Sequence, residues 1–259
     1  RRVERMLASQ VLGAQIVGAG ISIVAVDQGH PNAGAALARV IVGTWVSIAA
    51  GNDRRRVVQR TAQALEELGY SVDFGVINVS RLGVPQRRRR LVMVASTTIT
   101  PCVESIEATH QRNSRTIEWA MHDLTGMDAQ TTLDESANSA PATRRRIDHL
   151  FENGLYDLPN SERPACHRDR EHTYSSVYGR LRWEDTAQTI TTGFYSMCMG
   201  RYVHPSERRT ITAHEAARLQ YFPDWFDFSA VEKRTSLARM IGNAVPSRLA
   251  YAVLIELLR

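Results

Sequence analysis

Residues 83–96 read GVPQRRRRLVMVAS: a Gly-Val-Pro turn, four consecutive arginines, then an unbroken apolar run. The run has the length and composition of a strand buried on both faces, as in a sheet covered by helices. Upstream, SVDFGVINV reads as a second strand. Before it, DRRRVVQRTAQALEELGY places Val57, Val58, Thr61, Leu65 and Leu68 at helical spacing, with Asn52 or Asp53 able to cap the start and Gly69 suited to the stop. Further back, GISIVAVDQ (20–28) reads as a short buried strand ending in Asp27. PNAGAALARV carries helix signals, and VIVGTWVSIAAGND resembles unlike pieces joined together. Strands alternating with helices predict an α/β layered fold with a largely parallel sheet.

Taken alone, an arginine run is most simply a solvated face. In extended backbone, however, alternate side chains point opposite ways, so Arg88 and Arg90 share one face while Arg87 and Arg89 share the other.

Composition bounds the function classes. The 259 residues are 43% hydrophobic, with a formal net charge of +5. No apolar run approaches the ~20 residues of a membrane-spanning helix, and the N-terminus lacks the apolar centre of a signal peptide. The chain begins with Arg rather than Met, as a fragment of a longer product would. The charge favours an anionic partner such as nucleic acid, but only weakly. Lys233 is the only lysine, so 31 of the 32 basic residues are arginine. Arginine's planar fork suits phosphates and guanine edges, although a GC-rich coding bias gives the same composition. Three widely spaced cysteines, Cys102, Cys166 and Cys198, suggest a reducing cytoplasm rather than a disulfide framework.

Between about residues 97 and 201 the texture changes. DAQTTLDESANSAPATRRR is polar and turn-rich, as a linker into a smaller, irregular domain would be. Regular structure returns after Tyr202. TAHEAARLQYF carries a capping box, Thr212 with Glu215 three residues on, and PSRLAYAVLIELL reads as an apolar C-terminal helix. Phe222, Pro223, Trp225 and Phe226 read as core rather than as a base-stacking platform. Cys166, His167 and His172 lack a second cysteine pair, which argues against zinc and for no metal. A recognition loop with Arg168 and Arg170 near DNA is the better reading.

Three segments together resemble the DNA cytosine-5 methyltransferase family, bacterial type: GVPQRRRRLVMVAS, RRTITAHEAARLQYFPDWFDF with His214 where arginine is common, and MIGNAVPSRLAYAV. YGRLRWEDTAQTITTGF also resembles the end of the family's target-recognition region. The resemblance covers residues 53–259. It implies a Rossmann-like methyltransferase sheet with helices on both faces, plus a small irregular target-recognition domain. The implied division is a catalytic and cofactor domain over 1–117, a recognition domain over 118–202, and a return to the catalytic domain with its C-terminal helix over 203–259. The implied reaction is methyl transfer from S-adenosylmethionine to carbon 5 of cytosine in a specific duplex DNA sequence. It proceeds by base flipping and attack of a cysteine thiolate at carbon 6.

By the resemblance, Gln86, Arg88 and Arg90 are the catalytic-face residues, with Arg90 on the flipped cytosine and Arg88 supporting the loop or the DNA backbone. Asp27 would bind the cofactor's ribose, and Asn243, Ala244 and Val245 lie on the cofactor side; an ordinary turn before a helix is the alternative for the last three. Arg180, Arg182, Thr189, Thr191 and Thr192 are the DNA-contact candidates. Glu215, Arg218 and Gln220 are read as structural. Implied partners are duplex DNA and a cognate restriction endonuclease or second subunit, with no membrane; the implied location is the cytoplasm. The family's glycine-rich cofactor loop, Pro-Cys-Gln and Glu-Asn-Val motifs do not occur in this sequence. Either they belong to residues outside it, or a second chain of a split enzyme supplies them, or the chain is an inactive DNA-binding homologue. The first is preferred, because these motifs are loops in the family.

Overall fold

The computed structural model describes residues 20–27, 39–47, 54–169 and 176–258, with backbone only for the first two segments and residues 54–56. The helix signals at 31–38, the caps Asn52 and Asp53, and Arg170 and His172 fall outside the described residues. The chain divides into two compact units. The first comprises Arg1–Asn78, Arg89–His110 and Tyr251–Arg259; the second comprises Val79–Arg88 and Gln111–Ala250.

The first unit holds a four-stranded sheet of β1 (Gly20–Asp27), β2 (Arg39–Ser47), β3 (Ser71–Asn78) and β5 (Arg89–Ser96), in the order β2-β1-β5-β3. Asp27 ends its strand, as expected. Only β1 and β5 run parallel; β1 pairs antiparallel with β2 and β3 with β5. The expectation of a largely parallel sheet therefore fails on pairing. The ten residues between β3 and β5 hold no crossover helix, and only an antiparallel return closes over so short a span. Arg39 and Val40 open a strand rather than continue a helix, and that strand runs on through Ser47.

Helix α1 (Arg54–Glu67) buries Val58, Ala62 and Leu65 with Met93 and Ala95. It ends where Gly69 takes φ +88°, with Tyr70 N–H on the Leu65 carbonyl and Gly69 N–H on that of Glu66. This is the left-handed stop that glycine makes without strain. Leu68, read as part of the apolar face, is 45% exposed because it lies past the last helical residue. Helix α2 (Val103–Thr109) is capped from β3, where the Asp73 carboxylate accepts the Val103 N–H at 2.6 Å.

The second unit pairs β4 (Gln86–Arg87) parallel with β6 (Ala187–Gln188). Its helices are α3 (Ile117–Met121), α4 (Pro141–Glu152), α5 (Ala165–Arg168), α6 (Ala213–Leu219) and α7 (Arg234–Asn243). Helix α8 (Ser247–Leu257) closes the chain. Among the described residues, two apolar cores serve the second unit. One gathers Met121, Ile190, Phe194, Tyr202, Leu219 and Ile241; the other gathers Ile147, Leu150, Leu158, Tyr178, Met197 and Val203. The polar stretch read as a linker ends in helix, because Pro141 can occupy a first-turn position without losing a needed N–H. Trp225 is 82% exposed, against its reading as core; Phe222 instead packs edge to face with both Phe226 and Phe228, and only Phe228 of the three is buried. No helix among the described residues is long and apolar enough to cross a membrane.

Candidate functional site

The arginine run straddles the boundary between the units. Along it Arg87 and Arg89 are exposed, Arg88 is 3% exposed and Arg90 is half-buried, the alternation that extended backbone imposes.

In the second unit, Gln86 and Arg88 lie at the centre of a buried polar network. The Gln86 side chain donates to the Leu219 carbonyl at 3.2 Å and to the Gln220 side-chain oxygen, while its own Oε1 accepts the Ile190 N–H at 2.9 Å. Gln220 passes the chain of bonds on, donating to the carbonyls of Ile241 at 2.7 Å and Ala244 at 3.1 Å. Arg88 donates through Nη1 to the Ile190 carbonyl at 2.7 Å and through Nη2 to the Gly242 carbonyl at 3.0 Å. Segments 133 and 154 residues away in sequence meet on these two side chains. Hydrogen bonds from a charged donor contribute about 1.5–3 kcal/mol each, more than neutral ones, so the pair from Arg88 is a principal tie of this region. Arg88 here binds backbone carbonyls.

Gly242 makes the closest approach. A Cβ there would stand 2.4 Å from the Thr192 nitrogen and 2.5 Å from the Thr191 carbonyl carbon, so only glycine fits against that backbone. The Tyr202 hydroxyl donates to the Thr189 carbonyl at 2.9 Å and accepts the Thr191 N–H at 3.2 Å. The Thr189 hydroxyl is engaged with the Arg87 carbonyl and that of Thr191 with Tyr202, while Thr192 is exposed. Arg180 lies over the rings of Phe151 and Tyr156 at 4.0 and 4.9 Å and donates to the Pro205 carbonyl; Arg182 lies 4.0 Å over Tyr156. Beyond Gly242, Asn243 is exposed at the end of α7 and Ala244 and Val245 are half-buried.

Arg90 has fewer partners among the described residues. It sits on β5 opposite Ile77 of β3, donates to the Arg89 carbonyl at 2.7 Å, and has no partner for its buried Nε among the described residues. Burial pulls its pKa down from the ordinary arginine value. The Asp27 side chain lies outside what is described.

A second buried cluster braces α6. Thr212 and Glu215 form both halves of the capping box, and Arg209 grips the Glu215 carboxylate with two bonds of 2.7 and 2.8 Å. His204 is fully buried. Its Nδ1 accepts N–H bonds from Ser206 and Glu207, which leaves Nε2 facing Glu215 at 3.4 Å. Burial pushes the His204 imidazole down to about 4. His214 bridges the carboxylates of Asp134 and Asp224.

The sequence reading missed the network roles of Gln220, Tyr202 and Gly242's neighbours.

A family profile described as C-5 cytosine-specific DNA methylase matches residues 46–259. The chain belongs to the C-5 cytosine-specific DNA methylase family. It is similar to the type II methyltransferase M1.BsuMI of Bacillus subtilis (strain 168), 46% identical over 195 residues, spanning 75% of this chain and 45% of that protein. It is also similar to the type II methylase M.HgiDII of Herpetosiphon aurantiacus, 33% identical over 211 residues, spanning 78% and 59%. The chain thus spans about half the length of these methylase relatives. Among solved structures, the S. pombe Dnmt2 methyltransferase aligns with a TM-score of 0.54 at 14% identity, covering 82% of this chain and 64% of that one. At that identity the likeness shows the methylase fold alone, a Rossmann-like sheet with associated helices.

Proposed function

We propose that the protein transfers a methyl group from S-adenosylmethionine to carbon 5 of cytosine in duplex DNA, at a specific sequence, as a soluble cytoplasmic enzyme. The carrying observation is the convergence on Gln86 and Arg88 of the arginine motif, the end of the EAARLQ helix and the IGNAV turn.

Carbon 5 of cytosine is a poor nucleophile, so a thiolate must first add at carbon 6. When bound, S-adenosylmethionine supplies an electrophilic methyl group. Arg90 donates N–H bonds to the extruded cytosine. Arg88 and Gln86 hold the recognition segment and the turn at 242–245 in register, as positioning groups. Asn243 offers an exposed amide beside the half-buried Ala244 and Val245, which suits a ligand with polar and flat apolar parts; Asp27, at the end of β1, is assigned to the cofactor's ribose by the family resemblance. Arg180, Arg182 and Thr192 contact DNA, while Thr189 and Thr191 shape the same segment. Residues 118–202 form the recognition region and 1–117 with 203–259 the catalytic one. None of Cys102, Cys166 or Cys198 stands in a Pro-Cys-Gln segment, so the nucleophile is assigned to residues outside this sequence or to a second subunit.

The test is tritium transfer from labelled S-adenosylmethionine to varied duplex DNA by the full natural protein, followed by nucleoside analysis. Label in 5-methylcytosine is expected. Bound DNA without label supports an inactive homologue and overturns the proposal.

A further inference from the structure

Several arginines of the second unit pair with carboxylates. Arg209 pairs with Glu207 and Glu215, Arg218 with Asp123 and Asp224, and Arg234 with Glu135. Arg115 and Arg248 do not. The Arg115 guanidinium lies 3.7 Å from the Trp119 ring centre and 6.0 Å from that of Tyr221, and the Arg248 guanidinium lies 5.7 Å from the same Tyr221 ring. Neither makes a side-chain hydrogen bond or ion pair among the described residues, and the buried Arg248 Nε is without a partner.

The rings that hold them are themselves fixed. Trp119 and Tyr221 stack at 6.1 Å with 19° between their planes. Trp119 lies in the first turn of α3, its N–H capped by the Thr116 hydroxyl at 3.2 Å. Tyr221 adopts φ +72°, a left-handed conformation that costs a bulky residue free energy, and is tied by its N–H to the Arg218 carbonyl and by the Ser247 hydroxyl to its own carbonyl. Trp119 is nevertheless 52% exposed, so the stack is not serving as core.

A guanidinium held against an aromatic ring keeps its terminal Nη N–H groups free for another acceptor, with much of its rotamer freedom already given up. Such a fork is prepared for a bidentate acceptor. Two such guanidiniums flanking one stacked Trp119–Tyr221 pair suit successive anions along a polymer, which is the chemistry of a nucleic-acid backbone. We propose that Arg115 and Arg248, held on Trp119 and Tyr221, form a phosphate clamp for the DNA backbone, distinct from the base-reading segment around residues 180–194. The clamp fixes where the duplex lies and carries no sequence preference. It rests on the reading of the protein as one that acts on duplex DNA.

The test measures duplex affinity of the full natural protein against salt concentration, on cognate and unrelated sequences, for wild type, Arg115→Gln, Arg248→Gln and the double variant. Each phosphate contact contributes about 0.9 to the slope of log affinity against log salt, so the double variant should lose about 1.8 and each single variant half of that. At moderate salt the double variant should bind on the order of tenfold more weakly, equally on both sequences. Trp119→Ala retains both charges, so it should weaken binding several-fold while leaving the slope unchanged. Wild-type slopes in both single variants overturn the clamp, as does a loss confined to the cognate sequence. Should the double variant fail to fold, the single variants decide. A wild-type protein that binds no duplex overturns the functional reading itself and the clamp with it.

Discussion

On strand β5, Val92, Met93, Val94 and Ala95 are fully buried and apolar throughout. Four to six residues before that stretch, Gln86 and Arg88 are as deeply buried and are engaged in hydrogen bonds to side chains and carbonyls far along the chain. The sheet unit is held by hydrophobic burial that any similar aliphatic side chain could supply. The second unit depends on particular polar groups, since each buried carbonyl that loses its donor incurs a desolvation cost. Tolerance to substitution should therefore differ sharply on either side of the boundary at Arg88 and Arg89.

Arg88→Met is expected to have the largest effect. It strips donors from the Ile190 and Gly242 carbonyls and should destabilise the second unit by about 4 kcal/mol in denaturant unfolding. A loss under 1 kcal/mol would mean the network is dispensable. Next comes pH. His204 has a folded pKa near 4, below the ordinary 6.5, because burial disfavours its charged form. Below pH 6.5 the unfolded chain takes up a proton that the folded chain refuses. The stability from neutral His204 is thus complete above 6.5 and is lost as pH falls toward 4, on the order of 3 kcal/mol over that window. His204→Gln should flatten the unfolding profile between pH 6.5 and 4; an unchanged slope would remove His204 as its source. Gly242→Ala should cost about 2 kcal/mol, because the added methyl meets backbone rather than a movable side chain. A melting temperature equal to wild type would show that the 191–192 segment yields. Arg89→Ala, at an exposed position, should change stability by less than about 0.5 kcal/mol and leave methyl transfer near wild type.

The same contrast explains what could be read from the sequence. Helix α1, the strands at 71–78 and 89–96, the capping box at Thr212 and the division of the arginines all follow from local periodicity or a local hydrogen-bond pattern, and all are present. Strand direction was misread, although the ten residues between β3 and β5 are too few for a parallel crossover. The exposure of Trp225 was missed, because aromatic content signals burial only when a core lies alongside. Arg88 was placed on the correct face, yet its partners, carbonyls 102 and 154 residues away, leave no trace in composition. The Arg115–Trp119–Tyr221–Arg248 stack was invisible for the same reason, as its halves lie about a hundred residues apart.

The sharpest test of the division between a positioning arginine and one that touches the reacting base is single-turnover methyl transfer by Arg90→Ala, measured beside its thermal unfolding. Loss of one electrostatic donor to the reacting ring predicts a fall on the order of 10²–10³-fold in rate with the melting temperature unchanged. Transfer within a few-fold of wild type, or a rate loss that only follows unfolding, would contradict it.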